Sequence, residues 1–132
     1  MQIKKLTPNL IVRNVEASLK FYREVLGLEI VMTVPDQSPY VFAGVTNGAV
    51  EIFFNDQKVV AAEYPKLATT IGASLTLYME VDSLQAVLES VQKAGAKISM
   101  PVTEQFYGMK EFAFEDPDGY TITIAEKMVA GS

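Results

Sequence analysis

The chemistry open to this sequence is bounded first by two absences: its 132 residues include no histidine and no cysteine. That excludes nucleophile–histidine catalysis, thiol redox chemistry, disulfides and every zinc site built on nitrogen or sulfur ligands. Carboxylates, lysines, arginines, phenols and hydroxyls remain. Glu51 stands out among them, in the run Val50-Glu51-Ile52-Phe53-Phe54. If Val50 and Ile52 face a helix, strand alternation turns the Glu51 carboxylate and the Phe53 ring to the other side. An unpaired carboxylate there has a raised pKa and can act as a general base or hold a cationic group, whereas a solvated or Lys/Arg-paired one is structural. In Leu75 to Val81, Thr76, Tyr78 and Glu80 share one parity and face one way. Phe106-Tyr107-Gly108-Met109 sets two aromatics beside a glycine hinge, which reads either as a lid or as a loop that tucks one ring into the core.

Eleven basic residues against sixteen acidic ones give a formal charge of −5. This is the wrong sign for a protein that grips a nucleic-acid backbone, so a neutral or cationic partner fits better. No run approaches the roughly 18 apolar residues of a membrane span, and the first residues lack the apolar stretch of a secretory signal. The expectation is a cytoplasmic protein with neither nucleic acid nor membrane as partner. Lys4-Lys5 reads as a solvated pair, and Ala130-Gly131-Ser132 as a frayed end.

The elements that position these residues repeat. Leu10-Ile11-Val12 begins a strand, Asn14 caps a helix with Val15, Leu19, Tyr22 and Leu26 at helical spacing, and Gly27 ends it. Strands over Leu28 to Val34, Tyr40 to Ala43 and Ala49 to Phe54 follow, with Asn47-Gly48 as hairpin chemistry. After a connector with the makings of a short helix and a bend, Leu75 to Val81 is a strand. Ser83 then caps a helix carrying Leu84, Val87, Leu88 and Val91, and Gly95 ends it. Ile98 to Val102, Glu111 to Glu115 and Tyr120 to Ala125 complete the pattern, the last two joined by the turn former Asp116-Pro117-Asp118-Gly119. The chain thus reads as α+β: one domain over residues 1–132, with tandem βαβββ units at about 5–55 and 74–127 and a connector at about 56–73. Paired units make a curved mixed sheet around a concave cup. Because the strands are apolar on both faces, the face away from the helix must meet a ligand cavity or a second subunit.

The runs Leu10-Ile11-Val12-Arg13-Asn14-Val15 through Phe21-Tyr22 to Leu26-Gly27-Leu28, Met79-Glu80-Val81-Asp82-Ser83-Leu84, and Phe114-Glu115-Asp116-Pro117-Asp118-Gly119-Tyr120 resemble the vicinal oxygen chelate superfamily. This group includes glyoxalases, extradiol dioxygenases, methylmalonyl-CoA epimerases, and fosfomycin and bleomycin resistance proteins. The resemblance implies a glyoxalase/bleomycin-resistance-like fold whose relatives hold a divalent metal on the first and last strands of each unit. Carried onto this chain, those positions are Thr7, Thr76 and Thr123, with Glu51 as the first-half equivalent of Thr123. Threonine hydroxyls are weak neutral donors and one carboxylate does not replace a His/Glu set, so no metal and no cofactor are expected. The threonines are also simply good strand formers.

With Asn9 sharing the parity of Thr7, the cup is expected to be walled by Thr7, Asn9, Glu51, Phe53, Thr76, Tyr78 and Thr123, with Phe106 and Tyr107 over it. That composition suits a cationic or aromatic small molecule. The resemblance then implies a homodimeric, drug-sequestering binding protein of the bleomycin-resistance type. The alternative is a glyoxalase-like lyase or isomerase with Glu51 as general base and Tyr78 or Thr76 as donors to an oxyanion. A metal-dependent lyase or dioxygenase is the third reading.

Overall fold

The computed structural model describes residues 1–129, so the small-residue end Ala130-Gly131-Ser132 lies outside the described residues. Two compact units divide at Ile71 and Gly72. The first contains β1 (Asn9–Val12), α1 (Val15–Leu26), β2 (Glu29–Val34), β3 (Phe42–Thr46), β4 (Glu51–Asp56) and the short α2 (Gln57–Glu63). The second contains β5 (Thr76–Glu80), α3 (Leu84–Ala94), β6 (Ile98–Glu104), β7 (Met109–Glu115) and β8 (Thr121–Lys127).

Both long helices start and stop where the sequence chemistry requires. The Asn14 Oδ1 accepts from the amide of Ala17 at 2.8 Å, and the Ser83 Oγ accepts from that of Ala86 at 3.2 Å. Each cap satisfies an amide that the first helical turn leaves unpaired. At the other ends Gly27 (φ +67°) and Gly95 (φ +68°) are left-handed, a conformation that costs a side-chain-bearing residue roughly 1–2 kcal/mol. On α1 the buried stripe is Val15, Ser18, Leu19, Tyr22 and Val25; Leu26, expected on it, is half-buried.

Each unit builds its own open, four-stranded mixed sheet, ordered β1-β4-β3-β2 and β5-β8-β7-β6. The first strand of each unit runs parallel to the last, and the remaining pairs are antiparallel. β3 runs to Thr46 rather than ending at Ala43. The Thr46 hydroxyl donates to the Val50 carbonyl and accepts from the Gly48 amide, and the Asn47 side chain accepts from the amides of Ala49 and Val50. This cage keeps Thr46 in the ladder opposite Glu51. β6 and β7 are likewise longer than the apolar runs indicate, because a tight turn over Gln105–Gly108 closes them as a hairpin. The Asp116 turn forms as expected: its Oδ1 accepts from the amides of Asp118 and Tyr120, both at 2.9 Å.

The core of the first unit lies between α1 and its sheet, where Tyr22 meets Phe54 with ring centroids 4.9 Å apart beside Val12, Val45 and Ile52. In the second unit Leu84, Val91, Phe112, Phe114, Ile122 and Ile124 are buried in the same way. Each such side chain contributes roughly 1.5–3 kcal/mol on full burial. Among the described residues no helix is long and apolar enough to cross a membrane.

Candidate functional site

Because Ile52 and Phe54 go to the core, Glu51, Phe53 and Asn55 project from the opposite, open face of the first sheet. Thr7 and Asn9 join them, as their parity predicts. The Thr7 hydroxyl donates to Glu51 Oε1 at 2.7 Å, and the Lys5 ammonium lies 2.9 Å from the same oxygen. Lys5 is therefore not the purely solvated side chain expected from the sequence. The hydrogen bonds from Lys5 and then Thr7 hold the Glu51 carboxyl below its ordinary range, opposite to the rise expected of an unpaired carboxylate. Asn55 donates to the Asn9 side chain, and Phe53 packs edge-on against Phe42 at 5.0 Å between centroids. The side chains of Phe53 and Met32 close in where Gly44 leaves space. Past the Asn9–Asn55 pair, a cleft of about 320 Å³ opens toward α2, lined by both asparagines, Ile11, Val59, Tyr64 and Leu67.

In the second unit the open face carries Thr76, Tyr78, Thr123 and a residue that sequence reasoning did not assign, Glu111. The hydroxyls of Thr76 and Thr123 are 2.8 Å apart and hydrogen-bonded to each other. Glu111 is 3% exposed. The Tyr78 hydroxyl donates to its Oε2 and the Tyr107 hydroxyl to its Oε1, the latter at 2.8 Å. Donation to Glu111 raises both phenols, and Tyr78 reaches about 12. Phe106, by contrast, is 98% exposed at the tip of the β6–β7 turn.

The signal for Glu111 was present in the alternation of Lys110-Glu111-Phe112-Ala113-Phe114. With both phenylalanines in the core, Glu111 and Ala113 must face the other way. Its importance comes from neighbours on β5 and in the turn, which no local pattern reveals. Tyr78 reaches it across β8 because the intervening residues are small: Thr123 and Ala113 in one row, Ala125 in the next.

Strand register also corrects the matching of the two halves. Asn9 pairs with Phe53 as Tyr78 pairs with Thr123, and Asn9 and Tyr78 each precede their helix cap by five residues. The counterpart of Thr123 is therefore Phe53, and that of Glu51 is Thr121, two residues earlier along the strand. The four positions considered for a metal do not fit one. Glu51 is already committed to Lys5 and Thr7, Thr76 and Thr123 are committed to each other, and neutral hydroxyls are poor donors to a hard divalent cation. Among the described residues no three carboxylates come together as a set.

With this geometry the comparisons with known proteins agree. Residues 3–124 match the Glyoxalase/Bleomycin resistance protein/Dioxygenase superfamily, and the chain belongs to that family. It is 28% identical over 129 residues to a probable lactoylglutathione lyase of Vibrio parahaemolyticus, covering 92% of this chain and 88% of that protein. Among solved structures it is similar to a glyoxalase/bleomycin resistance protein/dioxygenase family enzyme from Burkholderia phytofirmans, with TM-score 0.78 and 23% identity over 92% of this chain and 97% of that one. It is also similar to TioX from Micromonospora sp. ML1, with TM-score 0.75 and 13% identity over 95% and 99% of the two chains. At these identities the two structures establish the fold alone.

Proposed function

We propose that this protein is a metal-independent small-molecule binding protein that sequesters its ligand on the open sheet faces, in the manner of bleomycin-type resistance proteins. The observation that carries the reading is how the four metal-position residues are engaged: Glu51 by Lys5 and Thr7 in one unit, and Thr76 with Thr123 in the other. Around them the surfaces are those of a binding site. Phe53 and Tyr78 offer aromatic faces, Asn9 and Thr123 offer polar groups, and the cleft beside α2 reaches the lower end of the size range of ligand pockets. A homodimer is part of the proposal. Ile30, Val31, Met32 and Val34 on β2, and Ile98 and Val102 on β6, are more than a third exposed and form apolar strand surfaces of the kind a second subunit covers.

A lyase reading is favoured by the likeness to the Vibrio protein, and Glu51 would be its general base. The ion pair opposes that role, because lowering a carboxylate's pKa weakens it as a base. The deciding experiment is a thermal-shift screen for ligands, followed by mass spectrometry of the best ligand, and of lactoylglutathione, after incubation with the protein. Unchanged ligand is expected. Turnover that Glu51→Gln abolishes while binding persists would establish the lyase reading instead. Elemental analysis finding about one divalent ion per chain, the stoichiometry of a single carboxylate-bound site, would overturn metal independence.

A further inference from the structure

Glu111 is the one carboxylate on the open faces that is deeply buried yet has no cation beside it among the described residues. No lysine lies within ion-pair distance of it among the described residues, Lys127 included, which stands one ladder row away on the open face of β8 and is exposed. Lys110 projects from the other face of β7 toward Glu126 at 4.0 Å, and Lys97 pairs with Glu115 at 3.1 Å. Burying a charge costs heavily unless it is matched, and here only two neutral phenols match it. Each phenol spends its one proton inward. A hydroxyl that donates still has lone pairs to accept with, and donation to a carboxylate strengthens it as an acceptor. Tyr78 and Tyr107 are each 52% exposed, so they present this acceptor character to solvent while the charge behind it stays dry. Glu80, which shares the parity of Tyr78 and acts electrostatically on it, adds negative potential to the same face.

We propose that Tyr78, Tyr107 and Glu111 form the anchor for an organic cation bearing N–H donors, an amidinium, guanidinium or primary ammonium carried by the ligand. Its N–H groups bond the two phenol oxygens, its charge is balanced by Glu111, and its flat part lies against the tyrosine faces. A carboxylate or phosphate ligand meets only acceptors here. A divalent metal is disfavoured because it needs several oxygen ligands, and among the described residues no three carboxylates come together as a set that could hold one. The proposal rests on the small-molecule binding reading above and names the class of ligand for it.

The test uses the full chain with two probes of one shape, benzamidinium and neutral benzamide, titrated by calorimetry and followed by NMR. Wild type is expected to bind benzamidinium at least about tenfold more tightly, a difference of about 1.4 kcal/mol. The shifted resonances should centre on Tyr78 and Tyr107. Glu111→Gln should abolish the preference, whereas Glu89→Gln, an exposed acid on α3, should retain it. If Glu111→Gln fails to fold, Tyr107→Phe on the exposed turn serves instead and should reduce the preference. Equal affinity for the two probes, a preference that survives Glu111→Gln, or no saturable benzamidinium binding would each overturn the anchor. Neutral aromatics that bind without charge preference would sink this proposal alone; a screen yielding no ligand of any kind would sink the binding reading itself.

Discussion

The two units repeat one architecture around different chemistry. In the first, the open-face carboxylate Glu51 is neutralised by Lys5 and supported by Thr7, giving a locally balanced pair at the surface. In the second, Glu111 is buried, held by Tyr78 and Tyr107, and left with its charge unmatched. The cores diverge in parallel. Tyr22 packs on Phe54 in the first unit, and the positions equivalent by cap distance and register are Val91 and Ile124 in the second. A repeat therefore preserves where side chains point and leaves open what they do.

The largest expected effects test the architectural half of this comparison. Phe54→Ala should lower unfolding free energy by about 3–5 kcal/mol and Ile124→Ala by about 2–5 kcal/mol, measured by urea denaturation. A loss under about 1 kcal/mol at either site would mean that the equivalent positions do not bear equivalent loads. Next come the helix ends. At Gly27 and Gly95 a Cβ has nothing within 4 Å, so alanine suffers only the left-handed backbone, about 1 kcal/mol at each, and the two values should agree. Clearly different values would show that the two ends are not equivalent.

The chemical half is tested by titration. Tyr78 should ionise near pH 12 rather than near its ordinary value of 10, seen as a late step in phenolate absorbance that is missing in Tyr78→Phe. Because its folded pKa is raised, its contribution to stability is present below about pH 10 and is lost as pH rises through about 12. Replacing Glu111 with Gln should bring the step down. The smallest effect belongs to the first unit. Lys5→Met should let the Glu51 carboxyl rise toward its ordinary 4.5, read from its side-chain carbon shift, with little change in stability because Lys5 is largely exposed. The sign of the Glu51 contribution is the reverse of that of Tyr78. With its folded pKa lowered, Glu51 stabilises above pH 4.5, and this is lost as pH falls through the folded value.

Much of this was legible in the residues in order. Asn14, Gly27, Ser83 and Gly95 mark helix ends because capping and left-handed glycine are local physics, decided within one turn of chain. Alternation in Val50 to Phe54 and in Leu75 to Val81 was enough to place Glu51, Phe53, Thr76 and Tyr78 on open faces, since a strand's period is two whatever surrounds it. The absence of histidine and cysteine excluded whole classes of chemistry without any fold at all.

Only the tertiary structure decided what those side chains meet. Lys5 and Glu51 are brought together by the β1–β4 pairing, which changes a would-be base into half of an ion pair. Tyr78, Tyr107 and Glu111 come from a strand, a turn and another strand, and become one cluster through the register of three strands and the small residues between them. Direction is a property of each segment and can be read from its own period. Partnership, and with it charge state and chemistry, is a property of the contacts between segments, which depend on register that no single segment carries.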